Sequence, residues 1–124
     1  MTSLNVHEPM PTREEGSPEV WPQVLADVAQ MSHIYEAADL VIADMRDRDR
    51  IGRERYGGPL VVSDGRDALV DLYQELLDAA VYTKKQQLRE ELDEPHQGML
   101  DAVYRSLLVD AMLTRWIIKH KRGE

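Results

Sequence analysis

Cysteine and phenylalanine are both absent from this chain of 124 residues. Without cysteine there are no disulfides, no thiolate metal sites and no sulfur nucleophile, a composition that fits a reducing cytoplasm. Without phenylalanine, the aromatic contribution to a core falls to Trp21, Trp116 and five tyrosines. No apolar run approaches the roughly 18 residues that span a bilayer, and the first residues lack the apolar segment of a secretory signal. A soluble, cytoplasmic protein without a membrane partner is the expectation. Basic charge is also short, with 15 Lys plus Arg against 23 Asp plus Glu and a formal net charge of -8. A surface so acidic does not gather nucleic-acid backbone and is repelled by anionic membranes. What the chain does have is 43% hydrophobic and 31% charged residues, the balance of a globular domain long enough to bury a core.

Residues 1–16 carry Pro9, Pro11 and Gly16 with no apolar period, and read as a flexible arm before a single helical domain over 17–124. Ser17-Pro18-Glu19 resembles a helix start, with a serine cap, a proline in the first turn and an acid at the positive end of the dipole. From Val24 to Asp49 apolar residues recur at steps of three and four (Val24, Val28, Met31, Ile34, Ala38, Val41, Ile42, Met45), as one helix or as two broken near Ser32. A mixed-charge run then reaches Tyr56-Gly57-Gly58-Pro59, a stop and turn signal. Leu60-Val61-Val62 is too short to found a sheet. Asp64 is the expected cap, with Asp67 in the first turn, of a helix running to about Leu92. More than half the circumference of that helix is apolar, which calls for two packing neighbours or for a second copy of the chain. Asp93-Glu94-Pro95 opens a last helix to about Lys121, with a stripe of Leu100, Val103, Leu107, Ala111 and Trp116. No alternating strand pattern and no internal repeat appears. The expected fold is all-α, a self-associating bundle of three to four helices.

Opposite the apolar face of the third segment stand Asp67, Asp71, Glu75 and Asp78, extended by Tyr82, within roughly 80° of helix surface. Like charges at such spacing repel by a few tenths of a kcal/mol per pair. Either a cation relieves them, as Mg²⁺ bound through carboxylates and phosphates would, or they form a solvated face. Glu36 and Asp39 repeat the spacing of Glu75 and Asp78, so two Glu-x-x-Asp pairs on adjacent helices could converge on one metal. Between these segments, Arg53, Arg55, Tyr56, Gly57, Gly58, Gly65 and Arg66 supply guanidinium forks, permissive glycines and a helix start, the parts of a phosphate site. The alternative is a plain connection whose arginines pair with Asp44, Asp47, Asp49 and Glu54. His7, His33, His96 and His120 show no metal-ligand spacing, no His-Asp pair is evident, and no nucleophilic serine or P-loop pattern occurs.

The stretch from Arg53 to Lys84, RERYGGPLVVSDGRDALVDLYQELLDAAVYTK, resembles small phage and prophage proteins of actinobacterial type that are similar to the MazG-like, all-α nucleoside triphosphate pyrophosphohydrolases. The resemblance is close over about a quarter of the chain and loose over two thirds. It rests on the Tyr-Gly-x-Pro-Leu turn, the Gly-Arg-Asp helix start, and Glu75-Leu76-Leu77-Asp78, which matches the family's second acidic element. Glu36-Ala37-Ala38-Asp39 stands where the first element would, without its doubled glutamate and ending in aspartate. The resemblance implies a Mg²⁺-dependent hydrolase releasing pyrophosphate in a bacterial host cell, infected or lysogenic. Glu36, Asp39, Glu75 and Asp78 would hold the metal, with Glu75 and Asp78 catalytic. Arg53, Arg55 and Arg66 would bind phosphate, and Tyr56 or Tyr82 the base or sugar. Two other readings stand beside it: a non-catalytic phage protein that sequesters a signalling nucleotide, and a small helical interaction module.

Overall fold

A computed structural model describes Leu4 and residues 10–124. Among these residues the protein is all-helical, with α1 Trp21–Met31, α2 Ala38–Tyr56, α3 Ala68–Arg89 and α4 Glu94–Arg122, and no strand beyond one isolated bridge. None of the described helices is long and apolar enough to cross a membrane. The chain divides into two compact units, Pro9–Arg66 and Met1–Glu8 with Asp67–Glu124.

In the Pro9–Arg66 unit, α1 packs on α2. The apolar period over 24–49 is interrupted at 32–37, where Ser32 and its neighbours form turns, so Glu36 precedes α2 and Asp39 lies in its first turn. Ala38 is buried, and Val24, Val28, Ile42 and Met45 are half-buried, whereas Met31 and Ile34 are exposed. Ser17 does not cap α1, which begins at Trp21 with no side-chain cap. Its hydroxyl instead accepts the Ser63 amide at 2.8 Å, while Val20 N–H donates to Leu60 O at 2.9 Å and Val62 N–H to Pro18 O at 2.8 Å. These bonds surround the Glu19–Val61 bridge and bury Val61. Ser17 stands four residues before α1 begins, and its hydroxyl satisfies a loop amide in place of one in the first helical turn. Residues 12–14, read above as part of an arm, are tied to the same loop: Thr12 N–H donates to Asp64 O at 2.6 Å and Glu14 N–H to Ser63 O at 3.0 Å. The remainder of the arm, apart from Leu4, lies outside the described residues up to position 9.

The other unit is an αα-hairpin of α3 and α4. Val70 in the first turns of α3 meets Ile118 near the end of α4, with Leu4, Leu69 and Tyr73 around them. At the opposite end, Gln87 Nε2 donates to Asp101 Oδ1 at 3.2 Å and Lys84 Nζ lies 4.3 Å over the Tyr104 ring. These contacts fix the helices as antiparallel. Buried Ala80 and Ala111 let the two backbones approach at mid-length. The buried stripe of α4 ends on Thr114 and Ile118, and Trp116 is turned out to solvent. Asp67, not Asp64, is the cap of α3: its carboxylate accepts Leu69 N–H at 3.1 Å and Val70 N–H at 3.2 Å. Asp64 accepts Arg66 N–H at 3.1 Å, closing the turn just upstream. Asp93 caps α4 as its sequence suggests, accepting His96 N–H, and it also meets His96 Nδ1 at 2.5 Å, an Asp-His pair not foreseen from spacing.

Candidate functional site

The loop after α2 is organised by an arginine from the N-terminal segment. Gly57 ends the helix at φ 77°, a conformation that glycine adopts without a Cβ penalty. The Arg13 guanidinium then collects the carbonyls left over: Nη2 donates to Tyr56 O at 2.7 Å and Gly58 O at 3.1 Å, and Nε donates to Pro59 O at 2.8 Å. A cation at the negative end of α2 also meets the helix dipole favourably. Gly58 lies so close that a Cβ there would stand 3.0 Å from the guanidinium carbon. At the far end of the loop Gly65 has φ 78°, and a Cβ there would fall 2.6 Å from Thr12 Oγ1. Gly57 and Gly65 are thus required by their positive φ, one at each end of the loop.

Within this unit a cavity of about 250 Å³ opens between the loop and α2. Trp21 and Tyr56 supply aromatic surface, Gly52 and Gly58 leave backbone within reach, and Arg13, Arg48 and Arg66 bring positive charge against Asp49 and Asp64. Arg13 commits Nε and Nη2 to the loop carbonyls. Arg48 makes no hydrogen bond or ion pair among the described residues, so its guanidinium is available to a ligand at the cavity wall.

Of the residues singled out from sequence for a phosphate site, Tyr56, Gly58 and Arg66 line this cavity. Arg53 is bound instead by Glu19, in a short contact, and by Asp49 Oδ1 at 3.0 Å. Those hydrogen bonds hold its guanidinium charged even more firmly than usual. Arg50 is held likewise by Asp47 at 2.7 Å and Glu54 at 3.0 Å, so part of the mixed-charge run serves as i,i+3 and i,i+4 pairing. Arg55 lies over the Tyr56 ring at 5.4 Å. Glu36 and Asp39 are exposed, on the turn before α2 and in its first turn. Glu75, Asp78 and Tyr82 are exposed on α3, and neither acid makes a hydrogen bond or ion pair among the described residues.

No three Asp, Glu or His side chains form a ready metal cage among the described residues. Mg²⁺ requires less, since it keeps several waters and takes one or two carboxylates together with substrate phosphates. Glu75 and Asp78, three apart on one exposed helix face, meet that minimum within their unit. Trp21, Arg13 and Arg48 are among the lining residues not anticipated from sequence. Trp21, one of only two tryptophans, was a signal in plain view, while Arg13 and Arg48 reach the cavity through contacts that no local motif announces. Comparison with protein-family models, curated proteins and solved structures finds no match for this chain.

Proposed function

We propose that the protein binds a nucleoside polyphosphate in the Pro9–Arg66 cavity. The supporting observation is the convergence on one space of Arg48, which has no partner among the described residues, the loop residue Arg66 and the aromatic faces of Trp21 and Tyr56. Guanidinium forks match phosphate oxygens, and an aromatic wall accepts a base by stacking. At about 250 Å³ the cavity suits one end of a nucleotide, with the other end in solvent.

A hydrolytic reading goes further. It rests on the resemblance of residues 53–84 to MazG-like pyrophosphohydrolases and on the exposed Glu75 and Asp78, which have no partner among the described residues. In that reading Glu75 and Asp78 would hold Mg²⁺, which would neutralise phosphate charge and make water a better nucleophile. The nucleoside triphosphate would leave as monophosphate and pyrophosphate.

The two readings separate in one experiment on the full chain. Melting is followed with a panel of nucleoside triphosphates, with and without Mg²⁺, and pyrophosphate release is measured on the same samples. Stabilisation with pyrophosphate release, lost in Glu75→Gln, supports the enzyme. Stabilisation without release supports a nucleotide-sequestering protein. No stabilisation by any nucleotide removes both.

A further inference from the structure

The α3–α4 hairpin leaves a long apolar groove along one side. Cavities of about 750 and 540 Å³ share Leu77 and Leu108 and so run into each other. The groove's floor is unusually bare for a chain of this polarity: Val81 is 66% exposed, Leu88 75%, Met112 69% and Trp116 59%. Apolar side chains gathered in this way mark a surface that packs against something. Lys84, Lys85 and Arg89 stand along one end of it.

The charge pattern of α3 identifies the occupant. Asp67, Asp71, Glu75 and Asp78 occupy its cap and first half with no base among them, and Lys84, Lys85 and Arg89 occupy its second half with no acid. A helix so divided is complementary to itself when reversed. Leu77, Val81, Lys84 and Leu88 follow at steps of four, three and four, the seam of a helix pair. We propose that the groove receives α3 of a second copy of this chain, antiparallel and related by a two-fold axis, so that two hairpins form a four-helix bundle. Such an interface is isologous, so each attraction occurs twice.

The register follows from matching both patterns. Leu77 meets the partner's Val81, clear of the Val70 turn that Leu4 covers. In antiparallel helices the same flank faces itself, which sets Asp71 beside the partner's Lys85 and Asp67 beside the partner's Arg89. Asp78 falls next to its own copy near the axis, the one repulsive element of the arrangement. The proposal gives a role to the acidic stripe and to the wide apolar face together, and it does not depend on any nucleotide.

Sedimentation of the full chain tests it without ligand. Wild type is expected to dimerise. Asp71→Lys, or Lys85→Glu with Arg89→Glu, turns paired attractions into repulsions and weakens the dimer by about tenfold or more. An equimolar mixture of the two charge-reversed variants is expected to recover association as a heterodimer, while circular dichroism shows both folded. Asp78→Asn is expected to tighten the dimer. Because the chain has no cysteine, Leu77→Cys mixed with Val81→Cys reports register directly, and a disulfide between the two variants is expected. A monomer at all concentrations overturns the proposal. So does a dimer indifferent to both charge reversals, or a cysteine pair that does not cross-link.

Discussion

Replacing Gly65 with alanine tests the least expected part of the fold, the seating of residues 12–14 on the loop that carries Arg66. Two separable costs are involved. Gly65 has φ 78°, where an L-residue costs about 1–2 kcal/mol. Its added Cβ would also stand 2.6 Å from Thr12 Oγ1, too close for any real contact. Relief requires a χ1 displacement of a β-branched side chain or a shift of its backbone, which is itself bonded to Asp64 O, at about 1 kcal/mol. Gly57 supplies the control: it has φ 77° and open space around its missing Cβ, so Gly57→Ala carries the conformational cost alone. Urea denaturation followed by circular dichroism is expected to give a loss of about 1–2 kcal/mol for Gly57→Ala and about 2–3 kcal/mol for Gly65→Ala. Thr12→Ala in the Gly65→Ala background removes the colliding oxygen and should bring the loss back toward the Gly57→Ala value. Equal losses at both glycines, unchanged by Thr12→Ala, would refute the seating.

Three further outcomes follow from the capping and charge geometry. Asp67→Ala removes the acceptor of two amides at the start of α3 and should cost about 1 kcal/mol, roughly 4 °C in melting temperature, whereas Asp64→Ala should cost less; the reverse order would return the cap to Asp64. Asp93, Asp101 and Glu124 are held below the ordinary carboxylate range by His96 N–H, by Arg105 and Gln87, and by Arg115 respectively. A depressed carboxylate stabilises the fold above its unfolded pKa and loses that contribution as pH falls through its folded value, so melting temperature should drop below about pH 4 and the drop should shrink in Asp101→Asn. Arg48→Ala should leave the melting temperature of the free protein unchanged, because no described residue depends on its charge.

The helices were legible where one local rule sufficed. α3 and α4 declare themselves through apolar spacing and through Asp93, whose cap lies three residues from the amide it accepts. Legibility fails where a distant segment competes for the same group. Ser17 reads as a cap, yet its hydroxyl is taken by the Ser63 amide 46 residues away. Arg53 reads as a phosphate ligand, yet Glu19, 34 residues away, shares it with Asp49. Asp64 and Asp67 are both plausible caps by spacing, and only the backbone path of the Gly65 turn decides between them. The cavity is the extreme case, since Arg13, Trp21 and Arg48 come from three separate stretches. What the sequence did convey about it was composition: an arginine- and glycine-rich connection able to host an anion.

Calorimetric titration of a nucleoside triphosphate into wild type and Arg48→Ala, without Mg²⁺, tests the central claim most directly. Wild type is expected to bind one nucleotide per chain saturably, with affinity lower by about tenfold or more in Arg48→Ala, as loss of a charge-assisted contact to phosphate implies. Absence of binding across the four bases in both sugar forms, or equal affinity in the two proteins, would contradict it.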